Sequence, residues 1–292
     1  MDQPPTFMDL PPQLRDRQSS RYAVLPVPYE GTVSYKTGTA AGPEAILDAS
    51  PQLEYFDEQL CGEFYQAGIY TADAVQAQPT PAEQMAAVRA AAGPLLEEGK
   101  FLLTLGGEHS ITAPLVAATA QALGPISVLQ IDAHADLRDS YDGTRHSHAA
   151  VMRRVLEITP DICQVGIRNI SKEEYEDCRR QIDAVFSPSR IRRQADWIDR
   201  AIGRLGPTVY LTIDIDGLDP SIAPGTGTPE PDGLSWVQAI DLLEALFRRR
   251  NVVAADIVEV RPIPPNHVTE FLAAKLAYKI IAFHQAFGQV GQ

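Results

Sequence analysis

Short apolar runs alternate along the chain with segments of helical character. The runs are rich in Val, Ile and Leu, which is typical of buried strands, and they lie at residues 22–27, 101–105, 126–131, 163–167, 209–213 and 252–260. Helical stretches are predicted near 44–49, over 81–98 with an interruption near 93–94, from 171, over 235–247 and over 269–284. This alternation predicts a parallel sheet covered by helices on both faces.

The chain reads as one domain with a short leading arm. Residues 1–20, rich in Pro and polar groups, are expected to form a flexible arm or one that wraps a neighbouring subunit. Over residues 21–292 no repeat, linker or change in composition divides the chain. We therefore expect a single domain over 21–292.

Charged side chains occupy alternate positions directly after two of the apolar runs. Asp132, His134 and Asp136 follow one run, and Asp214 and Asp216 follow another. On an extended backbone such positions lie on the same side, so each set would present its carboxylates together. Like charges that share a site repel, and a divalent cation relieves that repulsion. A lone Asp-x-Asp is usually a turn or a helix cap, but the conjunction of sets favours a metal site.

A third apolar run ends in two glycines that allow a tight turn, and His109 lies just beyond them. With no thiolate in the set, the ligands suit Mn²⁺ better than a structural zinc, although Co, Ni and Fe accept them as well. The number of ligands indicates two ions that share bridging carboxylates and a water, held as hydroxide at neutral pH. The predicted ligands are His109, Asp132, His134, Asp136, Asp214 and Asp216.

These motifs resemble the signatures of the ureohydrolases, the arginase and agmatinase superfamily of dinuclear manganese enzymes. The resemblance is carried by residues 105–114, 128–136 and 212–220, and it extends from 25–30 to 269–276. It implies an α/β fold, a three-layer α/β/α sandwich around a mainly parallel eight-stranded sheet, with 21–292 as the catalytic domain. It also implies two Mn²⁺ per subunit and a homotrimer or homohexamer. Glu108 stands where Asp is commoner and is not expected to bind metal.

The resemblance also implies catalytic roles. Asp136 would orient the metal-bridging hydroxide that attacks the guanidinium, and would then pass a proton to the leaving amine. His148 occupies the place of a mobile, proton-shuttling histidine, and His146 is the alternative two residues earlier. Glu259 matches a glutamate that pairs with the substrate guanidinium, although such a residue taken alone is equally typical of a buried ion pair.

The loop that follows the Asp-x-His-x-Asp motif bears on the substrate. It lacks the Asn- and Ser-rich arginase pattern and looks more like the agmatinase branch. We therefore expect hydrolysis of agmatine to putrescine and urea. An acidic group near the mouth would bind the distal ammonium, with Asp139, Asp142 and Glu230 as candidates. Asp232 lies on a second loop that could touch the distal end of the substrate.

The presence of Arg138 keeps substrates other than agmatine under consideration. It could bind a carboxylate bidentately, which would favour 4-guanidinobutyrate or another guanidino acid, or it could pair with Asp139, Asp142 or another subunit. Arginine, guanidine and formiminoglutamate are further alternatives with the same metal chemistry. A non-catalytic regulatory relative is a second alternative, but degenerate relatives typically lose metal ligands, and here all the predicted ligands are present.

The amino-acid composition of the chain limits the classes of binding partner and the cellular location that we expect. A net charge of −13 argues against nucleic acid and anionic membranes, and mildly favours a small cationic guanidino substrate. The cysteines Cys61, Cys163 and Cys178 are odd in number and lack metal spacing, which indicates reduced thiols and a cytoplasmic location. We find no signal-peptide pattern at the N-terminus and no apolar run of membrane-spanning length.

Overall fold

The computed structural model describes residues 5–288. Its central sheet has seven strands, all parallel, in the order β4-β1-β5-β9-β8-β6-β7, while β2 and β3 form a separate antiparallel pair. The strands are β1 (Tyr22–Val27), β2 (Phe56–Asp57), β3 (Gly62–Glu63), β4 (Ile69–Thr71), β5 (Phe101–Gly106), β6 (Ser127–Ile131), β7 (Ile162–Val165), β8 (Thr208–Asp214) and β9 (Asn251–Val258).

Helices connect the strands and cover the sheet. The α-helices are α1 (Gly42–Ala49), α2 (Pro81–Glu97), α3 (Thr112–Leu123), α4 (Val151–Val155), α5 (Lys172–Asp177), α6 (Arg179–Ile182), α7 (Pro188–Arg193), α8 (Trp197–Ile202), α9 (Trp236–Arg249) and α10 (Val268–Phe287). Short 3₁₀ turns lie at Phe7–Asp9, Pro12–Leu14, Thr39–Ala41, Ser50–Gln52, Phe64–Ala67, His109–Ile111, His148–Ala150 and Ile215–Gly217.

Two hydrophobic cores lie on opposite faces of the sheet, because successive strand residues point to opposite sides. In β1, Val24 faces the core shared with α1, α8, α9 and α10, and Leu25 faces the core shared with α2, α3 and α4. Every residue of β1 is buried, as expected for a parallel strand covered on both faces. The predicted α/β class and three-layer sandwich are therefore confirmed.

The central sheet has seven strands within the described residues, and not the expected eight. Beyond the edge strand β7, only Phe186 pairs, through a single parallel bridge to Val165. Its N–H donates to the Gln164 carbonyl and its carbonyl accepts from Gly166, both at 2.9 Å. Ser187 then caps α7, so the chain turns into a helix before a ladder can extend.

The segment before β1 packs on the domain. Phe7 and Met8 are fully buried, and their N–H groups donate to Thr71 Oγ1 and Ser50 Oγ at 2.9 and 2.7 Å. This packing differs from the flexible arm expected for residues 1–20. The prediction relied on the Pro-rich, polar composition of the segment as a whole. It did not take into account the apolar residues Phe7, Met8 and Leu10, which pack into the core. Residues 1–4 lie outside the described residues.

The helix starts agree with their capping residues. Ser171 and Ser235 form capping boxes with Glu174 and Gln238 at the starts of α5 and α9. The interruption expected near 93–94 is wrong, because α2 continues through Pro94 to Glu97. No helix within residues 5–288 is long and apolar enough to cross a membrane.

Candidate metal centre and substrate cleft

The predicted ligands meet at the carboxyl edge of the sheet. The strands β5, β9, β8 and β6 are neighbours in that order, so the segments that follow them lie side by side. His109 follows β5, Asp132 follows β6, Asp214 ends β8 and Glu259 follows β9. Ligands of parallel α/β sheets bind at this edge. Motifs far apart in the chain therefore form one site.

Five of the six predicted metal ligands form two groups that share Asp132. The ligand atoms of His109, Asp132 and Asp214 lie within 4.8 Å of one another, as do those of Asp132, His134 and Asp216. In the first group, His109 Nδ1 is 3.0 Å from Asp132 Oδ2. In the second, His134 Nδ1 is 3.0 Å from Asp216 Oδ2 and 3.6 Å from Asp132 Oδ1. The two oxygens of Asp132 thus face different groups, an arrangement suited to bridging two cations.

Asp136 lies beside the first group, with Oδ2 3.2 Å from His109 Nδ1. Its φ of +54° is uncommon for a residue other than glycine. The Asp136 carbonyl accepts the N–H of Met152 at 2.9 Å, where α4 begins. Since β6 ends at Ile131, this residue is placed by its helix contact and a left-handed backbone, and not by strand alternation alone.

The hydrogen bonds of His109 suit a metal ligand. Nε2 lies 2.9 Å from Thr212 Oγ1, and the Thr212 hydroxyl donates to Asp256 Oδ1 at 2.6 Å. Because the Thr212 proton is directed to Asp256, Thr212 accepts the Nε2–H, and Nδ1 carries the lone pair. Nδ1 is buried and has no hydrogen-bond partner among residues 5–288. A buried lone pair that converges with carboxylates on one point fits a bound cation.

The charges of the site also call for cations. Burial, followed by the charge of Asp132, raises the pKa of Asp136 to about 7. Burial, followed by the charge of Asp216, raises the pKa of Asp214 well above its usual range. Without counter-ions the carboxylates resist ionising together. Two divalent ions would offset the four carboxylates of the predicted ligand set.

A cleft of about 250 Å³ opens over this cluster. Its walls contain Glu259 and His148 together with the cluster, and also Tyr35, Lys36 and Glu174. Glu259 Oε1 accepts the His109 N–H at 2.7 Å, which leaves the second oxygen for a ligand in the cleft. Burial, followed by the charge of Glu108, raises the pKa of Glu259 well above its usual range. A cationic group beside Glu259 would offset the free-energy cost of ionising this buried carboxylate.

The two candidate shuttle histidines are separated by the fold. His148 lines the cleft, whereas His146 lines a different cavity between α2, α3 and α4. Burial lowers the pKa of His148. Its Nδ1 lies 3.2 Å from Thr32 Oγ1, so the opposite ring nitrogen, Nε2, is available to the cleft. Of the two histidines, His148 is therefore the one that borders the cleft over the metal-ligand groups.

The acidic residues proposed for the distal ammonium lie outside the cleft lining. Asp139 Oδ1 accepts from Arg154 Nη2 at 2.7 Å, and Asp232 pairs with Arg192 on the surface. Glu230 Oε1 accepts from Asn169 Nδ2 at 2.6 Å. None of the three is among the described residues that line the cleft, and neither is Asp142. Arg154 and Arg192 thus hold Asp139 and Asp232, whereas the partner of Glu230, Asn169, itself lines the cleft. The loop sequence alone did not reveal these pairings.

Arg138 lines the cleft, but its partner differs from the expected ones. Nη1 lies 3.6 Å from Glu173 Oε2, and the guanidinium lies over the Tyr141 ring, 5.2 Å from its centroid. Asp139, one of the expected partners, is held by Arg154. Glu173 therefore offsets the charge of Arg138 without a substrate carboxylate.

Glu174 is a cleft residue that the sequence analysis missed. Its only evident role in the local sequence is to complete the capping box with Ser171 at the start of α5. Its oxygens accept the N–H groups of Leu137 and Ser171 at 2.9 and 2.8 Å, and the residue is 5% exposed. It forms no ion pair within the described part of the chain, although it lines the cleft. The capping box was the only sequence signal that pointed to Glu174. The carboxylate that caps α5 also borders the cleft above the metal-ligand groups.

Fold and site together define a class of protein: a three-layer α/β protein with paired metal-ligand groups at the carboxyl edge of a parallel sheet. Comparison with known proteins identifies the family. The model of the Arginase family matches residues 20–282. The chain therefore belongs to the Arginase family, and it is a ureohydrolase of that family.

Individual relatives support this assignment. The chain is 39% identical to N(1)-aminopropylagmatine ureohydrolase of Synechocystis, with 97% of each chain covered. It is 33% identical to the agmatinase of Bacillus anthracis, over 84% of this chain and 85% of that one. The crystal structure of the agmatine ureohydrolase of Thermoplasma volcanium superposes with a TM-score of 0.85 at 32% identity, covering 95% of this chain and 94% of that chain.

Proposed function

We propose that this protein hydrolyses the guanidinium of an agmatine-type amine, with N(1)-aminopropylagmatine as the preferred substrate and agmatine as the second candidate. The products would be urea and the corresponding amine, which is putrescine in the case of agmatine. The observation that carries the proposal is the cleft itself. It holds the metal-ligand groups and Glu259, and also a buried carboxylate, Glu174, without a cationic partner in the described chain.

Two cationic ends suit two carboxylates. Glu259 offers an oxygen beside the metal cluster, where a guanidinium would donate in the plane of the carboxylate. Glu174 retains lone pairs beyond its two backbone bonds, so it can also accept from a substrate ammonium. A guanidino acid would instead place a carboxylate near Glu174, and Arg138, its possible clamp, already lies near Glu173. These contacts favour an amine over an acid.

The choice between the two amines is supported by sequence similarity. The relative named for N(1)-aminopropylagmatine matches nearly the whole chain at higher identity than the agmatinase does. Agmatine stays the second candidate because one of the structures that superpose on this chain, with a TM-score of 0.85, is named for agmatine. N(1)-aminopropylagmatine contains the agmatine framework, so both amines present the same guanidinium to the site.

The chain's own residues would divide the chemistry as follows. We propose Mn²⁺ for the two ions, which, when bound, supply a hydroxide nucleophile at neutral pH. Glu259 holds the guanidinium against the site, and proximity of this kind removes much of the entropic barrier. Asp136 orients the nucleophile and receives its proton. His148 Nε2 takes part in proton transfer to and from the cleft, a role suited to a histidine.

The test is urea release from purified full-length protein after incubation with Mn²⁺. The substrates are N(1)-aminopropylagmatine, agmatine, 4-guanidinobutyrate and arginine at matched concentrations. We expect the highest kcat/KM for N(1)-aminopropylagmatine and measurable turnover of agmatine. Agmatine ahead would select the second candidate. Faster turnover of the guanidino acid would refute the amine proposal, and no urea from any substrate would support the non-catalytic reading.

The role of Glu174 is tested in the same assay. Glu174→Gln keeps the side-chain size but removes the charge, so KM for the amines should rise by roughly 10-fold or more, as expected when a charged hydrogen bond is lost. Lys172→Gln, on the exposed side of the same helix, is the matched control. An unchanged KM for both amines in Glu174→Gln would remove Glu174 from substrate binding.

A further inference from the structure

Glu108 is a buried carboxylate surrounded by donors. It is fully buried, and it lies directly before the ligand His109. Oε2 accepts the N–H groups of Gly31 and Thr32, each at 2.7 Å. Oε1 accepts the hydroxyls of Thr32 at 2.8 Å and Ser110 at 2.6 Å. Each of these four partners donates, so both oxygens act as acceptors. The metal chemistry described above does not use this residue.

The Thr32 hydroxyl connects Glu108 to His148. Its single proton is donated to Glu108 Oε1. Its oxygen therefore has only lone pairs for His148, whose backbone N–H donates to it at 3.1 Å and whose Nδ1 lies 3.2 Å away. Nδ1 must carry the hydrogen in that contact. Ser147 Oγ is a more distant neighbour of Nδ1 at 3.4 Å and can rotate to accept as well.

We propose that Glu108 and Thr32 are positioning residues that hold His148 in the Nδ1–H form, so that Nε2 is the atom that exchanges the proton in the cleft. Nε2 takes up one proton of the water that the hydrolysis consumes, the imidazole becomes imidazolium, and the same proton then leaves from Nε2 to the departing amine. The Nδ1–H bond is unchanged throughout. This inference rests on the proposed function, because it assumes that His148 transfers protons.

The direction of the hydrogen bonds makes the proposal specific. In Glu108→Gln, an amide N–H₂ at the Oε1 position would donate to Thr32 Oγ1. The Thr32 proton would then be free to turn toward His148 Nδ1 and reverse the tautomer. In Thr32→Val, which has nearly the same volume, the nearer acceptor for Nδ1–H is lost, and only the more distant Ser147 Oγ, at 3.4 Å, remains beside Nδ1. Thr32→Ser keeps the hydroxyl and is the matched control.

The first experiment reads the tautomer directly. Full-length protein with ¹⁵N-labelled imidazole rings is loaded with Mg²⁺ as a diamagnetic probe, and two-bond ¹H–¹⁵N correlations are recorded. The chain has six histidines, so His148→Asn assigns the His148 signals. We expect the Nδ1–H form in the wild type and in Thr32→Ser, and a mixed or Nε2–H form in Thr32→Val. An Nδ1–H form that persists unchanged in Thr32→Val would overturn the proposal.

The second experiment asks whether Thr32 acts through His148. Thr32→Val should lower kcat by roughly 10- to 100-fold, part of the worth of a general acid–base group, with KM unchanged and Thr32→Ser close to the wild type. In the His148→Asn background the same substitution should cost nothing further. If the losses in kcat caused by Thr32→Val and by His148→Asn were fully additive, Thr32 would not act through His148. The proposal would then be refuted, and Thr32 would have only a structural role. If His148→Asn alone is without effect, the proposed role of His148 fails, whereas the tautomer measurement still judges the hydrogen-bond chain.

Discussion

The sharing of Asp132 between two ligand groups predicts that neighbouring aspartates differ in their effect on metal content. Asp132→Asn removes one of the two carboxylates from each group, whereas Asp216→Asn removes a carboxylate from the second group only. Both changes keep the shape of the side chain. We therefore expect Asp132→Asn to weaken both ions and Asp216→Asn to weaken one.

The size of the loss follows from the charges. Changing even an outer-shell partner of a metal ligand typically costs about 10- to 100-fold in affinity, which is about 1.4–2.7 kcal/mol. Loss of a ligand's negative charge should cost at least that much. At a free Mn²⁺ concentration about ten times the wild-type Kd, the wild type should hold nearly two ions per subunit, Asp216→Asn roughly one, and Asp132→Asn one or fewer.

Metal content is measured by equilibrium dialysis against Mn²⁺ followed by elemental analysis, with circular dichroism as the check that each variant is folded. Asp199→Asn, a surface aspartate that pairs with Arg249, is the matched control and should bind like the wild type. Equal loss of both ions in Asp216→Asn, or two tightly held ions in Asp132→Asn, would show that the two groups do not share Asp132 as the structure indicates.

Four further predictions concern the cleft and the metal cluster. His148→Asn should lower kcat by roughly 10²–10⁴-fold with metal content intact. A kcat equal to that of the wild type would show that His148 has no role in catalysis. Because burial lowers the pKa of His148, its neutral form persists as the pH falls, so the acid limb of kcat should lie below pH 6.5 and disappear in that variant. Arg138→Gln should leave KM for the amine substrates within about 3-fold, and a large rise would place Arg138 on the substrate. Removal of metal by a chelator should lower the melting temperature, since a ligand at about 100 times its Kd stabilises by about 2.7 kcal/mol, and an unchanged melting temperature would argue against a metal cluster.

Much of the fold followed from local pattern. The strands β1, β5, β6 and β8 were predicted within one or two residues because each is a mainly apolar run covered on both faces. The position of Phe186 was not predictable in the same way. Whether an edge segment pairs over one residue or several depends on where the next helix begins and on space beside β7.

The predicted metal set likewise followed from spacing, and its assignment stays a prediction that the metal measurements test. The substrate contacts did not follow. Asp139 and Asp232 were chosen for being acidic and near the motifs in sequence, but Arg154 and Arg192, distant in the chain, hold their side chains elsewhere. The homotrimer or homohexamer, the identity of the metal and the cytoplasmic location also stay predictions.

The sequence by itself determined the parallel α/β architecture, the family and the candidate ligands, because each depends on residues close together in the chain and on strand geometry. Only the tertiary structure decided which distant groups meet. It placed the Thr32 hydroxyl between Glu108 and His148, and it brought the capping residue Glu174 to the cleft. The physical reason is that a hydrogen bond acts over about 3 Å, and the loops that bring such atoms together are positioned by the packed sheet and not by their own sequence.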